Sequence, residues 1–168
     1  MTIIAWDGKS LAADRLQTMG DTLATARKIW QQEGGGAVAI SGDLTHGLLM
    51  KRWYCTPGCT EPPWPKPVEG TGLTIMVVAD GAGCRYFESG EHHIAIDVID
   101  KIAAWGVGRE VALGAMEMGA TAKQAVEIAS KWCAGCGRGV DVVHVSTGAE
   151  SAAHDPVYYA GMEWFEHE

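Results

Sequence analysis

Thr2-Ile3-Ile4-Ala5-Trp6-Asp7-Gly8-Lys9-Ser10-Leu11-Ala12-Ala13-Asp14 opens the chain as two strand-like runs around an Asp-Gly pair. Asp-Gly is a two-residue hairpin signal, because both turn positions need a positive φ. Pairing Trp6 with Lys9 sets Ile4 against Leu11 and Thr2 against Ala13, so the start of the chain comes beside Asp14. A slip of one residue would flip every face, which makes this register a guide rather than a coordinate.

Outward from the hairpin, Thr22 to Gln32 has helical propensity, and Gly34-Gly35-Gly36 breaks it. Ala37–Ile40 reads as a buried strand that turns through Ser41-Gly42-Asp43 into a short helix over Leu44–Tyr54. Residues 55–72 carry Cys-Thr-Pro-Gly-Cys and then Pro62, Pro63, Pro65 and Pro67. That density excludes helix and central strand, and predicts a surface lid or interface arm. Leu73–Val78 and Cys84–Glu88 form a second hairpin around Asp80-Gly81-Ala82-Gly83, and an apolar run from Ile94 to Trp105 ends at Gly106. A helix over Arg109–Met118 stops at Gly119, and Thr121 with Gln124 is a capping-box pattern that opens another to Trp132. Gly135–Gly139 breaks the chain, Val140–Val145 reads as a strand, and a last strand candidate lies at Val157–Tyr159. Strands at both ends around two central helices predict a layered α/β fold without a parallel βαβ series.

The 168 residues fit one domain of ordinary size, and 47% hydrophobic content can bury a core. A net charge of -8 repels phosphate backbones, so nucleic acid is not an expected partner. No secretory signal and no membrane-spanning stretch is read, and five cysteines, an odd count, fit a reducing cytoplasm better than a disulfide framework.

Thr2 is the residue that points to chemistry. Methionine before threonine is commonly removed, which leaves threonine with a free α-amine. That amine has an ordinary pKa of about 7.7–8.0, so part of it is a neutral base near pH 7. One residue then supplies both the hydroxyl nucleophile and its base.

The opening strand followed by Leu11-Ala12-Ala13-Asp14-Arg15, then Lys28-Ile29, Ala39-Ile40-Ser41-Gly42-Asp43, and Ile102–Glu110 with Gly106-Val107-Gly108, resembles proteasome β subunits and HslV-type protease subunits. The resemblance spans nearly the whole chain and rests on order and spacing. It implies a four-layer αββα sandwich of two antiparallel sheets flanked by helices, formed by residues 1–168 as one N-terminal-nucleophile hydrolase domain. It also implies a threonine-type peptidase or amidohydrolase acting in a homo-oligomeric ring or spiral on peptide or protein substrates, with an ATP-dependent unfoldase as a further partner. By the same resemblance Thr2 matches the nucleophile, Asp14 and Lys28 the buried pair that orients it, and the backbone N–H near Ser41 the oxyanion donor. No cofactor or metal is implied. Two positions depart from the pattern: Val107 stands where the family has a serine, and Cys133-Ala134-Gly135-Cys136-Gly137 where it has an Asp-x-x-Ser-Gly support. Both lack the oxygens that hold the amine, so weak hydrolysis is expected.

Two other functions stand beside this one. The first is a catalytically silent scaffold of the same fold. The second is a zinc-stabilised binding module using Cys55, Cys59, Cys133 and Cys136, since tetrahedral zinc takes paired thiolates. Gly106-Val107-Gly108 lacks the third glycine of a dinucleotide turn, and His92-His93 reads as a solvated loop.

Overall fold

The structure is a computed structural model that describes residues 1–56 and 63–145. Its elements are strands β1 (Ile3–Trp6), β2 (Ser10–Asp14), β3 (Leu16–Met19), β4 (Thr22–Thr25), β5 (Ile29–Gln31) and β6 (Ala37–Ser41), then helix α1 (Leu44–Cys55). There follow β7 (Ile75–Asp80), β8 (Gly83–Glu88), β9 (Ala95–Val98), β10 (Ala103–Gly106), α2 (Arg109–Glu117), α3 (Ala122–Trp132) and β11 (Val140–His144). The strand candidate at Val157–Tyr159 lies outside the described residues.

Two sheets carry the architecture. One has four strands in the order β10-β1-β2-β11, the other five in the order β5-β6-β7-β8-β9, and every pairing is antiparallel. Side chains alternate across a strand, and β1 shows what that does here. Ile4 and Trp6 pack with Leu11, Ala39, Val77 and Trp105 between the sheets, while Ile3 and Ala5 pack outward with Ala112, Ala125, Val126 and Ala129 of α2 and α3. On the far side Val38, Met76, Val78 and Phe87 meet Met50 and Trp53 of α1. The result is the expected αββα sandwich. It explains why β1, β2 and β6 are apolar without alternation: both faces are covered.

The helices follow their sequence signals. Asp43 caps α1 by accepting from His46 N at 2.7 Å. Thr121 and Gln124 form the capping box of α3, whose Ala122, Ala125, Val126 and Ala129 make the buried stripe. Gly47 lets α1 lie directly on β6, since a Cβ there would fall 2.1 Å from Ile40 Cγ2.

Two expectations are corrected. The first hairpin pairs Trp6 with Leu11, Ala5 with Ala12 and Ile4 with Ala13, two residues further than a two-residue Asp-Gly turn allows. Asp7 does not take a positive φ. Instead its Oδ1 accepts from Lys9 N at 3.0 Å and Ser10 N at 2.7 Å, so the turn spans Asp7 to Ser10. A shift of two keeps the faces and sets Ile4, not Thr2, opposite Ala13. The stretch from Thr22 to Gln32 is not helical: it holds β4 and β5, because β4 pairs with β3 and Ile29 to Gln31 pair with β6. Tertiary pairing overrides a weak local propensity. The apolar run 94–105 is two strands, with β9 on the edge of the five-stranded sheet and β10 on the edge of the four-stranded one.

Residues 63–72 of the proline-rich segment hold neither helix nor strand. Trp64 pins them by packing edge-on to Trp53, with ring centroids 4.9 Å apart, and by donating from Nε1 to Gly90 O at 3.0 Å. His93, an exposed loop residue as expected, tilts against Trp53 with ring centroids 4.9 Å apart. Among the described residues no helix is long and apolar enough to cross a membrane.

Candidate active site

The site lies where β1 begins. Ile3 pairs with Gly106 of β10, and the ladder continues as Val107 N donates to Thr2 O at 2.7 Å. This approach requires glycine at 106: its φ is +91°, and a Cβ would fall 2.1 Å from Thr2 O and 2.9 Å from Ser41 Oγ. Thr2 is buried, and its Oγ1 donates to Met1 O at 2.7 Å.

Asp14 ends β2 on the neighbouring strand and is fully buried. Its Oδ1 accepts from Ile3 N at 3.0 Å and from Lys28 Nζ at 2.9 Å, and its Oδ2 from Leu16 N at 3.1 Å and Gly137 N at 2.9 Å. Four donors satisfy a carboxylate that burial alone would penalise by several kcal/mol. Lys28 immediately precedes β5 and is 3% exposed. Its ammonium also donates to Met1 O at 3.0 Å and to Leu16 O. Burial lowers the Lys28 pKa from its ordinary value, and the Asp14 charge opposes that shift.

Thr2, Asp14 and Lys28, singled out in the sequence, are therefore brought together. Ser41 ends β6 beside Gly106. Ile40 N donates to Lys28 O at 2.9 Å, so alternation along β6 turns the Ser41 N–H toward β7. Gly42, the next residue, borders a cleft of about 150 Å³ together with Met1, Thr2, Gln17, Lys28, Asp43 and Thr45.

The run matched to the family's support segment contributes through its glycines. Gly137 supplies an N–H to Asp14, and Gly135 is the floor under Met1 and Val107: a Cβ there would fall 2.8 Å from Met1 Sδ and 2.9 Å from Val107 Cγ1. The resemblance ties residues 133–137 to the site, but it does not say that the Gly137 N–H would serve Asp14. Val107 is 42% exposed and offers no oxygen.

The cysteines proposed as zinc ligands are parted. Cys55 ends α1 over the five-stranded sheet, where its Sγ donates to Gln32 Oε1 at 2.9 Å, whereas Cys133 and Cys136 follow α3 over the four-stranded sheet. Cys59 lies outside the described residues. Among the described residues no three His, Cys, Asp or Glu side chains converge as metal ligands.

Two facing antiparallel sheets between helical layers make the αββα fold shared with N-terminal-nucleophile hydrolases. Solved structures that share this fold include HslV and proteasome-like proteins. BPH from Thiobacillus denitrificans in complex with epoxomicin is 21% identical with a TM-score of 0.63, over 87% of this chain and 100% of that one. HslV from Trypanosoma brucei is 17% identical with a TM-score of 0.64, over 87% of this chain and 99% of that one. No protein-family model and no curated protein sequence matches the chain.

Proposed function

We propose that this protein is a threonine-type amide hydrolase or peptidase, with Thr2 as nucleophile once Met1 has been removed. The observation that carries the reading is the Lys28 ammonium, held by Asp14 at 2.9 Å and reaching the Met1 carbonyl at 3.0 Å, directly beside the Thr2 amide. With Met1 gone, the Thr2 nitrogen becomes a basic amine on the residue that carries the hydroxyl. Thr2 Oγ1 attacks the substrate carbonyl carbon, the α-amine takes the hydroxyl proton and delivers it to the leaving nitrogen, and water then cleaves the ester. The Lys28 charge favours the neutral amine and offsets the developing oxyanion, and the Gly42 N–H at the cleft is the oxyanion donor next to Ser41. Residues 1–168 act as one catalytic unit in a cytoplasmic homo-oligomer on peptide or protein substrates, with an unfoldase as the natural supplier of extended chain. The test is covalent trapping: the Met1-free protein is incubated with epoxomicin and digested. An adduct on Thr2, absent in Thr2→Ala, is the expected result, and its absence from the wild type rejects the nucleophile.

A second reading, the silent scaffold, is favoured by one observation: Val107 sits beside Met1 and Gly135 with an aliphatic side chain where an oxygen would hold the amine. In that case the Met1-free chain assembles without being trapped.

A further inference from the structure

The geometry points to a dithiol–disulfide exchange site at Cys133 and Cys136, one that reacts with a small-molecule disulfide of the glutathione class. Both cysteines are free thiols. They occupy the first and last positions of a tight turn closed by Cys136 N donating to Cys133 O at 3.2 Å. Such a turn holds its end Cα atoms within about 7 Å, and a disulfide spans roughly 4.4–6.8 Å between Cα atoms.

The two sulfurs have different surroundings, which divides the work. Cys133 is half-buried at the end of α3, and its Sγ lies against Gly108, the N-cap of α2, at 3.1 Å from where a Cβ would stand. Of the two sulfurs it is the one that an external disulfide can reach. Cys136 is 5% exposed and its Sγ donates to Ala129 O at 3.6 Å and Cys133 O at 3.5 Å. Burial pushes its thiol up to about 11, so it stays protonated until a mixed disulfide forms beside it. The Cys133 thiolate attacks one sulfur of the external disulfide and expels one thiolate. The Cys136 sulfur then attacks Cys133 Sγ, and the second external thiolate leaves with the Cys136 proton. One external disulfide is reduced to two thiols while two protein thiols become one disulfide.

The turn is tied to the candidate active site. Gly137 N donates to Asp14 Oδ2 at 2.9 Å, Arg15 N donates to Gly137 O at 3.0 Å, and Gly135 underlies Met1. Closing the disulfide stiffens the segment that holds Asp14, whether or not Thr2 reacts.

The full-length protein is equilibrated across a series of reduced-to-oxidised glutathione ratios, quenched in acid, alkylated and cut with trypsin. Cleavage after Lys131 and Arg138 releases both cysteines in the single peptide Trp132–Arg138. The expected result is a peptide that escapes alkylation and loses two hydrogens as the buffer becomes oxidising, and regains both alkyl groups on reduction. Cys136→Ser is expected to carry glutathione on Cys133 instead. A wild-type peptide that stays doubly alkylated throughout, or that accumulates only the glutathione adduct, overturns the proposal. So does a native mass with a zinc ion that is lost in Cys136→Ser, since the pair would then be a metal clip.

Discussion

Lys28 Nζ lies 2.9 Å from Asp14 Oδ1, with both side chains withdrawn from solvent and fourteen positions apart in the chain. Removing one partner of such a pair strands the other charge. Lys28→Met is expected to lower unfolding free energy by about 3–5 kcal/mol. Urea denaturation measures this, and a loss below about 1 kcal/mol, the range of surface pairs, would contradict the burial described.

Gly106→Ala forces a Cβ to 2.1 Å from Thr2 O at a φ of +91°. The backbone strain alone costs about 1–3 kcal/mol, and relieving the clash must move β1 from β10. Thermal unfolding should show a large drop in Tm, and Thr2 trapping in the folded fraction should fail. An unchanged Tm would contradict the approach.

Asp7 serves two elements. Besides closing its own turn it accepts from Ala122 N, the first residue of α3, at 2.8 Å. Asp7→Ala leaves three backbone donors without this acceptor and is expected to cost about 1–3 kcal/mol. Asp7→Asn retains an oxygen and should recover part of that loss in the same denaturation assay.

Cys84 faces the space between the sheets, where burial pushes its thiol up to about 12 from an ordinary 9.0. The unfolded chain loses this proton first, so the contribution to stability is complete below pH 9.0 and is lost as pH rises toward 12. Stability should fall by about 1.4 kcal/mol per pH unit from this thiol over that window. Comparing the pH dependence of Tm in wild type and Cys84→Ala isolates the effect. Equal slopes above pH 9.0 would sink it.

Val107→Ser restores a hydroxyl beside the terminus. In the Met1-free protein it is expected to raise the rate of Thr2 trapping, on the order of a hundredfold if misplacement of the amine limits the wild type. If Val107→Ser leaves the rate of Thr2 trapping unchanged, the amine is held by other groups.

The elements legible in the sequence were those whose signal is local and strong. Thr121 with Gln124 marks α3 by reciprocal backbone capping, Asp43 caps α1, and the glycines at 81 and 83 mark the β7–β8 hairpin. Their hydrogen bonds close within a few residues, so composition suffices to place them. The strand order gave a layered α/β fold, and the resemblance added the two sheets between helical layers.

Only the tertiary structure decided the rest. The turn at Asp7 chose side-chain capping over a positive φ, and that moved the hairpin by two residues. Residues 22–31 became strands because β3 and β6 offer ladder partners that no local window contains. The candidate site depends on the same kind of distance: Asp14 is satisfied by donors from residues 3, 16, 28 and 137, and Thr2 is clamped by residue 107. Residue types announce which groups can react, but a buried charge is tolerable only where partners from across the chain converge on it.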